Sequence, residues 1–169
     1  MIQPLRYIIV DDEEISRALI DTYASAFPFF QRIAVCEHAL EAIEILSGAK
    51  ADVVFADIEM PGISGIDLVK SIGERVAAPV FITSHPEFAI EGFEMNVFDY
   101  LLKPVSEERF EKCALRLKDF FQLRQQAFAF SREQESDFII IRQGHDKQKL
   151  LLQDILYFEA MKDYTKIVT

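Results

Sequence analysis

Long apolar runs are missing from this chain of 169 residues. None approaches the ~20 consecutive apolar residues that cross a bilayer, so no membrane span is expected. Cysteine is scarce as well: Cys36 and Cys113 lie far apart and fit neither a CxxC motif nor a disulfide framework. The opening Met1-Ile2-Gln3-Pro4-Leu5-Arg6 has no signal-peptide pattern, and a cytoplasmic location is the expectation. Basic charge is in deficit, with 18 Lys and Arg against 28 Asp and Glu for a net charge of −10. The deficit is uneven. Residues 1–130 carry 12 basic and 21 acidic side chains, a net −9, whereas residues 131–169 carry 6 and 7. An acidic first part argues against nucleic-acid binding there, because neutralising phosphates takes basic residues. It suits a cation site instead. Nothing forms a ligand set with His38 or His145, and no internal repeat or low-complexity tract is evident.

What the chain does have is half its residues hydrophobic, enough for one domain with a real core. Several short apolar runs end in a chemically useful residue. Tyr7-Ile8-Ile9-Val10 ends in Asp11-Asp12, and Asp52-Val53-Val54-Phe55-Ala56 ends in Asp57. Pro79-Val80-Phe81-Ile82 ends in Thr83, and Phe98-Asp99-Tyr100-Leu101-Leu102 ends in Lys103-Pro104. Val- and Ile-rich runs separated by helix-length segments read as buried parallel strands. A further short strand is expected at 33–36.

Between the runs, Ile15, Leu19, Tyr23 and Phe27 fall four apart on one helical stripe, and Ala39, Ala42, Ile43 and Leu46 form a second. Ile66, Val69 and Ile72 mark a short third helix, and 88–95 a brief fourth. Ser106 is a candidate N-cap for a fifth helix, with Glu107 and Glu108 in its first turn. Five strands alternating with five helices predict a three-layer α/β/α sandwich. Residues 131–137 have the polar character of a linker. Beyond them the period shortens, with strands expected at 138–142, 149–152, 155–160 and 164–169.

In such sheets ligand groups gather outside the carboxyl ends of the strands, so Asp11, Asp12, Asp57, Thr83 and Lys103 are expected in one pocket. Asp57 is the candidate nucleophile, since a carboxylate attacking phosphorus forms an aspartyl-phosphate. Asp11 and Asp12 supply oxygen ligands suited to Mg²⁺. Lys103 offers a point charge and Thr83 a hydroxyl donor to phosphoryl oxygens. Singly, each residue is ordinary: an acid pair after a strand is often a cap, and a lysine before proline is often a surface group. It is their joint order along the chain that points to phosphoryl chemistry.

Val10-Asp11-Asp12-Glu13, Asp57-Ile58-Glu59-Met60-Pro61-Gly62, Ile82-Thr83-Ser84 and Asp99-Tyr100-Leu101-Leu102-Lys103-Pro104 together resemble the receiver domain of two-component response regulators. The resemblance covers about residues 5–125. It implies a flavodoxin-like, CheY-like doubly wound sheet of five parallel strands. It also implies that Asp57 accepts a phosphoryl group from the phosphohistidine of a sensor histidine kinase. Asp12, Asp57 and the backbone carbonyl of Glu59 would ligate Mg²⁺, with Asp11 acting through water. Thr83 and Tyr100 would be switch residues, Lys103-Pro104 a cis bond, and Glu59 and His85 positions that tune dephosphorylation. Dimerisation through the fourth helix, fifth strand and fifth helix is a further implication. Phe120, Phe121, Leu123, Phe128 and Phe130 are candidate additional contacts, with core packing the expected fate of Phe120 and Phe121.

The second resemblance lies in Phe138-Ile139-Ile140-Ile141-Arg142, in 149–160 with its Asp154-Ile155-Leu156-Tyr157-Phe158-Glu159-Ala160 string, and in Asp163-Tyr164-Thr165-Lys166-Ile167. These resemble the start of a LytTR output domain, a β-rich DNA-binding module. The resulting division is a receiver at 1–125, helix end and linker at 126–137, and an incomplete LytTR-type domain at 138–169. DNA binding is therefore expected of a full-length protein and not of this chain. The reading is not one of an enzyme with a separate substrate, although such a receiver catalyses its own phosphoryl transfer and dephosphorylation. Two other functions compete. A haloacid-dehalogenase-like phosphatase needs a second Asp where Glu59 stands. A receiver fold can also serve as an interaction module without phosphorylation. A flavin carrier shares the architecture, but three carboxylates would repel a flavin phosphate.

Overall fold

Strand β1 (Leu5–Val10) turns its side chains alternately into two buried layers. Tyr7 and Ile9 join one core, Ile8 and Val10 the other. A strand apolar on both faces must be covered on both, which dictates a sheet sandwiched by helices. The computed structural model describes residues 3–88, 97–134, 138–143, 146–151, 154–161 and 165–168. These divide into two compact units, Met1–Phe121 and Gln122–Thr169.

In the first unit, β1 is joined by β2 (Phe30–Cys36), β3 (Ala51–Asp57), β4 (Val76–Thr83) and β5 (Asp99–Leu102). The order is β2-β1-β3-β4-β5, and every pairing is parallel. This is the flavodoxin-like doubly wound arrangement, whose order reverses between β1 and β3. Its helices among the described residues are α1 (Glu14–Ser25), α2 (Ala39–Gly48), α3 (Gly65–Ile72) and the first part of α4 (Glu107–Gln134), a helix that continues past Phe121. Ile20 and Ala24 of α1 pack with Phe110, Cys113 and Leu117 of α4 on one face. Ala42 and Leu46 of α2 pack with Leu68 and Ile72 of α3 on the other.

The local signals account for these elements. The Ser64 hydroxyl accepts from the Asp67 amide at 3.1 Å and caps α3. Ser106 does the same for Arg109 at 3.2 Å at the start of α4. Two expectations are corrected. The α1 stripe is shifted by a residue: Ile20 and Ala24 are buried, whereas Ile15 is 84% exposed. Leu19, Tyr23 and Phe27 are only partly covered, because α1 leans on the sheet through its small and β-branched side. Residues 131–134, expected in a linker, continue α4, since Arg, Glu and Gln are sound helix formers. The fourth helix expected over 88–95 lies outside the described residues from 89 onward; a 3₁₀ turn, Pro86–Phe88, precedes it.

The second unit contains the antiparallel pair β6 (Phe138–Gln143) and β7 (Asp146–Leu151), and a second pair, β8 (Tyr157–Ala160) and β9 (Thr165–Val168). Phe138 faces Leu151, and Tyr157 faces Val168. The four strands expected from the sequence are present, with β7 beginning three residues earlier than its apolar run.

Candidate functional site

Register alone gathers the predicted residues. Val10 pairs with Ala56, Asp57 with Ile82, and Thr83 with Leu102, so β1, β3, β4 and β5 end at one level. Asp11, Asp57, Thr83 and Lys103 therefore emerge side by side. The Lys103 amide donates to the Thr83 carbonyl at 2.8 Å, and the Asp11 amide to the Cys36 carbonyl at 3.2 Å. Asp11, Asp57 and Thr83 are the polar residues buried among the described ones.

Carboxylate oxygens of Asp11, Asp12 and Asp57 all lie within 4.8 Å of one another. Burying acids together is costly without an opposite charge, and Lys103 supplies it. Its Nζ stands 2.8 Å from Asp57 Oδ2, 2.9 Å from Asp11 Oδ2 and 2.9 Å from Glu13 Oε2. An ammonium has three N–H donors, and here all three are engaged. Burial works against the charge on Lys103, but the bonds to Asp57, Asp11 and Glu13 outweigh it and raise its pKa. Asp57 shifts upward too: burial dominates, Asp11 adds repulsion, and Lys103 offsets only part of it. The pocket as it stands holds more negative charge than its one lysine balances.

The surrounding bonds fix each acid. Asp11 Oδ2 accepts from the Ser16 hydroxyl at 2.6 Å, and its other oxygen from the Glu13 amide at 2.9 Å. Arg17 donates to the Asp11 carbonyl at 2.6 Å. Asp57 Oδ1 accepts from the Glu59 amide at 3.3 Å. The Lys103-Pro104 bond is cis.

Thr83 Oγ1 accepts from the His85 amide at 3.2 Å, and the Tyr100 hydroxyl donates to the His85 carbonyl. Burial, then the charges of Glu87 and Asp57, push the Tyr100 phenol pKa up. The His85 ring lies between two acids, with Nε2 2.6 Å from Glu59 and Nδ1 2.8 Å from Glu87. The bond to Glu87, with the nearby charge of Glu59, raises the His85 pKa and favours the imidazolium.

The structure thus brings Asp11, Asp12, Asp57, Thr83 and Lys103 into one pocket and sets Glu59, His85 and Tyr100 at its rim. Sequence reasoning overlooked four contributors. Glu13 was legible as the acid after the pair, but its bond to Lys103 was not. Ser16, Glu87 and Gly65 carried no signal of their own, since each acts through a neighbour that only folding supplies.

The chain matches the family model described as response regulator receiver domain over residues 7–114. It is 34% identical over 159 residues to the transcriptional regulatory protein BtsR of Salmonella typhi, a match covering 94% of this chain and 66% of that protein. The chain thus spans just under two thirds of that relative. Among solved structures, it is similar to the response regulatory domain of protein mrkE from Klebsiella pneumoniae, at 28% identity and a TM-score of 0.67. That likeness covers 70% of this chain and 99% of the other. The REC domain of AraT, a response regulator from Geobacillus stearothermophilus, gives 28% identity and a TM-score of 0.64 over 74% of this chain and 99% of that one. A family match running from β1 into α4 takes in the whole parallel sheet, and the chain therefore belongs to the response regulator receiver domains of two-component systems, with a transcriptional regulatory protein among its relatives.

Proposed function

We propose that this protein is a phosphorylation-controlled switch in which Asp57 accepts a phosphoryl group from the phosphohistidine of a sensor histidine kinase. The observation that carries the reading is Lys103 Nζ held between Asp57 and Asp11, in an acidic pocket at the carboxyl ends of the strands. In the transfer an Asp57 oxygen forms the new bond to phosphorus. The P–N bond to the donor histidine breaks, and its imidazole leaves with the electron pair. Lys103 then turns from the carboxylates toward a phosphoryl oxygen. The Thr83 hydroxyl, which already accepts one hydrogen bond, has a proton to donate to another.

The donor set fits Mg²⁺. Three carboxylates cluster at hard-ligand spacing, two of them buried, with more negative charge than Lys103 balances. Asp12, Asp57 and the Glu59 backbone carbonyl would hold the ion, with Asp11 beside them. When bound, Mg²⁺ supplies charge neutralisation for the phosphoryl oxygens. Lys103 itself lines a cavity of about 650 Å³ in which Ile15, Leu19, Pro104 and Val105 stand beside the polar Glu13, Glu14, Ser16 and Ser84. It offers the kinase an apolar foothold next to the reacting carboxylate.

Phosphorylation would draw Thr83 inward, and with it the His85 backbone to which both Thr83 and Tyr100 are bonded. That movement biases the surface of β5 and α4, through which the receiver forms a homodimer, and sets a LytTR-type DNA-binding output that regulates transcription in the full-length protein. Glu59 and His85 tune the return by loss of phosphate. Among the described residues no helix is long and apolar enough to cross a membrane; a cytoplasmic location belongs to this reading.

The test is intact-protein mass after incubation with acetyl phosphate and Mg²⁺, beside Asp57→Asn. A single phosphoryl adduct that needs Mg²⁺ and is absent from the variant is expected. No adduct and no beryllofluoride binding would leave a receiver fold used as an interaction module.

A further inference from the structure

Glu13 stands at the N-cap of α1 with extended backbone, yet its side chain makes no cap bond. Short side chains such as serine or aspartate are preferred there, because they fold back onto the first unpaired amides. The longer glutamate instead crosses to the end of β5 and meets Lys103 Nζ at 2.9 Å. Its backbone is fastened on both sides. The Glu13 amide donates to Asp11 Oδ1 at 2.9 Å, and its carbonyl accepts from the Arg17 amide at 3.0 Å. The carboxylate therefore reaches Lys103 from a fixed base.

The three acceptors on Lys103 are not equivalent. Asp57 and Asp11 are buried, whereas the Glu13 side chain is 64% exposed. Asp57 is the candidate nucleophile, so its bond to Lys103 has to give way to one with a phosphoryl oxygen. Asp11 Oδ2 already accepts from the Ser16 hydroxyl, and Asp11 belongs to the carboxylate cluster that fits a divalent ion. Glu13 is outside both the cluster and the reacting groups. Of the three, it is the acceptor that can stay on Lys103 from the resting state into the phosphorylated one. A lysine ammonium rides on a flexible four-carbon stem, so a lasting acceptor decides where it rests once Asp57 has let go.

We infer that Glu13 is a positioning residue for phosphoryl transfer, holding the Lys103 ammonium beside Asp57 while Asp57 gains its phosphoryl group. The inference rests on the reading of Asp57 as phosphoacceptor and adds to it a side chain that touches neither phosphorus nor metal. The charge of Glu13 acts separately, since a carboxylate at the mouth of the site repels an anionic donor. Glutamine and alanine distinguish the two effects: both remove the charge, but glutamine keeps an acceptor oxygen.

The test compares Glu13→Gln and Glu13→Ala with the parent in the whole chain. Intact mass over time with acetyl phosphate and Mg²⁺ gives the rate of adduct formation. The two variants carry the same charge, so the ratio of their rates isolates the acceptor oxygen. Glu13→Gln is expected to react about tenfold faster than Glu13→Ala. A second readout needs no donor: NMR of protein labelled with ¹⁵N-lysine follows exchange of the Lys103 ammonium protons with water. Protection should be kept in Glu13→Gln and lost in Glu13→Ala. Equal rates in the two variants, or full protection in Glu13→Ala, would mean that Asp11 and Asp57 hold the ammonium unaided, and would overturn the role of Glu13 alone. No adduct in the parent would overturn the phosphoacceptor reading itself, and this role with it.

Discussion

Gly65 packs its α-carbon so closely against Asp57 that a β-carbon there would stand 2.0 Å from the Asp57 carbonyl oxygen and 2.8 Å from its carbonyl carbon. The Gly65 amide also donates to the Ile58 carbonyl at 2.9 Å. The first residue of α3 is thus fastened to the end of β3, and the backbone of the candidate phosphoacceptor is fixed from below.

Gly65→Ala must push that backbone aside, because the obstructing atoms are main chain and cannot swing away. A loss of about 1–3 kcal/mol or more is expected in urea unfolding. Adduct formation at Asp57 should slow as well, since the carboxylate moves with its backbone. A variant as stable as the parent, with unchanged phosphorylation, would show that β3 yields freely at this point.

Asp57 carries its charge in a buried, overly acidic site, and its raised pKa has that cause. Asp57→Asn should therefore raise the melting temperature in the absence of divalent cations, by roughly 2–4 °C for each kcal/mol of repulsion relieved. Mg²⁺ should stabilise the parent more than the variant. Scanning calorimetry with chelator and then with Mg²⁺ would check both points; a variant that melts lower in chelator would contradict the charge argument.

Asp99 is gripped by two arginines. Arg109 reaches it at 2.6 Å and Arg116 at 3.0 Å, and Arg109 also donates to the Tyr100 carbonyl at 3.0 Å. Burial opposes the charge on Asp99, but these bonds outweigh it and hold the pKa below its usual value. A carboxylate with a lowered folded-state pKa stabilises the fold above its unfolded pKa of about 3.9, and that stabilisation fades as the pH falls through the lower folded value. Asp99→Asn should thus cost about 1.5–3 kcal/mol at neutral pH. The gap to the parent should close below about pH 4. A gap independent of pH would remove the ion pair as its source.

His85 links Glu59 to Glu87 at the pocket rim. If this bridge tunes loss of phosphate, His85→Ala and Glu87→Gln should shift the half-life of the Asp57 adduct in the same direction. About tenfold is expected, equivalent to roughly 1.4 kcal/mol on the barrier. Unchanged half-lives in both variants would make the bridge a surface contact without a kinetic role.

The local pattern determined a great deal. Strands apolar on both faces demanded helices on both sides, and a reactive residue at the end of each run located the pocket. Ser106 as the cap of α4 followed from its side chain and the acids after it. What the sequence could not specify were relations between segments far apart in the chain. The bond from Lys103 to Glu13 depends on β5 and β1 ending level, across an intervening β3 and β4. The closeness of Gly65 to Asp57 depends on how α3 is laid against the sheet.

The α1 stripe shows the same division. Spacing four residues apart fixed that α1 was amphipathic, but its rotation was decided by which side chains fit under it. Ile20 and Ala24 go inward, and Ile15 is left outside beside Lys103. Periodicity is a property of neighbouring residues, so a sequence carries it alone. Register, rotation and the meeting of distant charges come from packing, and only the folded chain decides them.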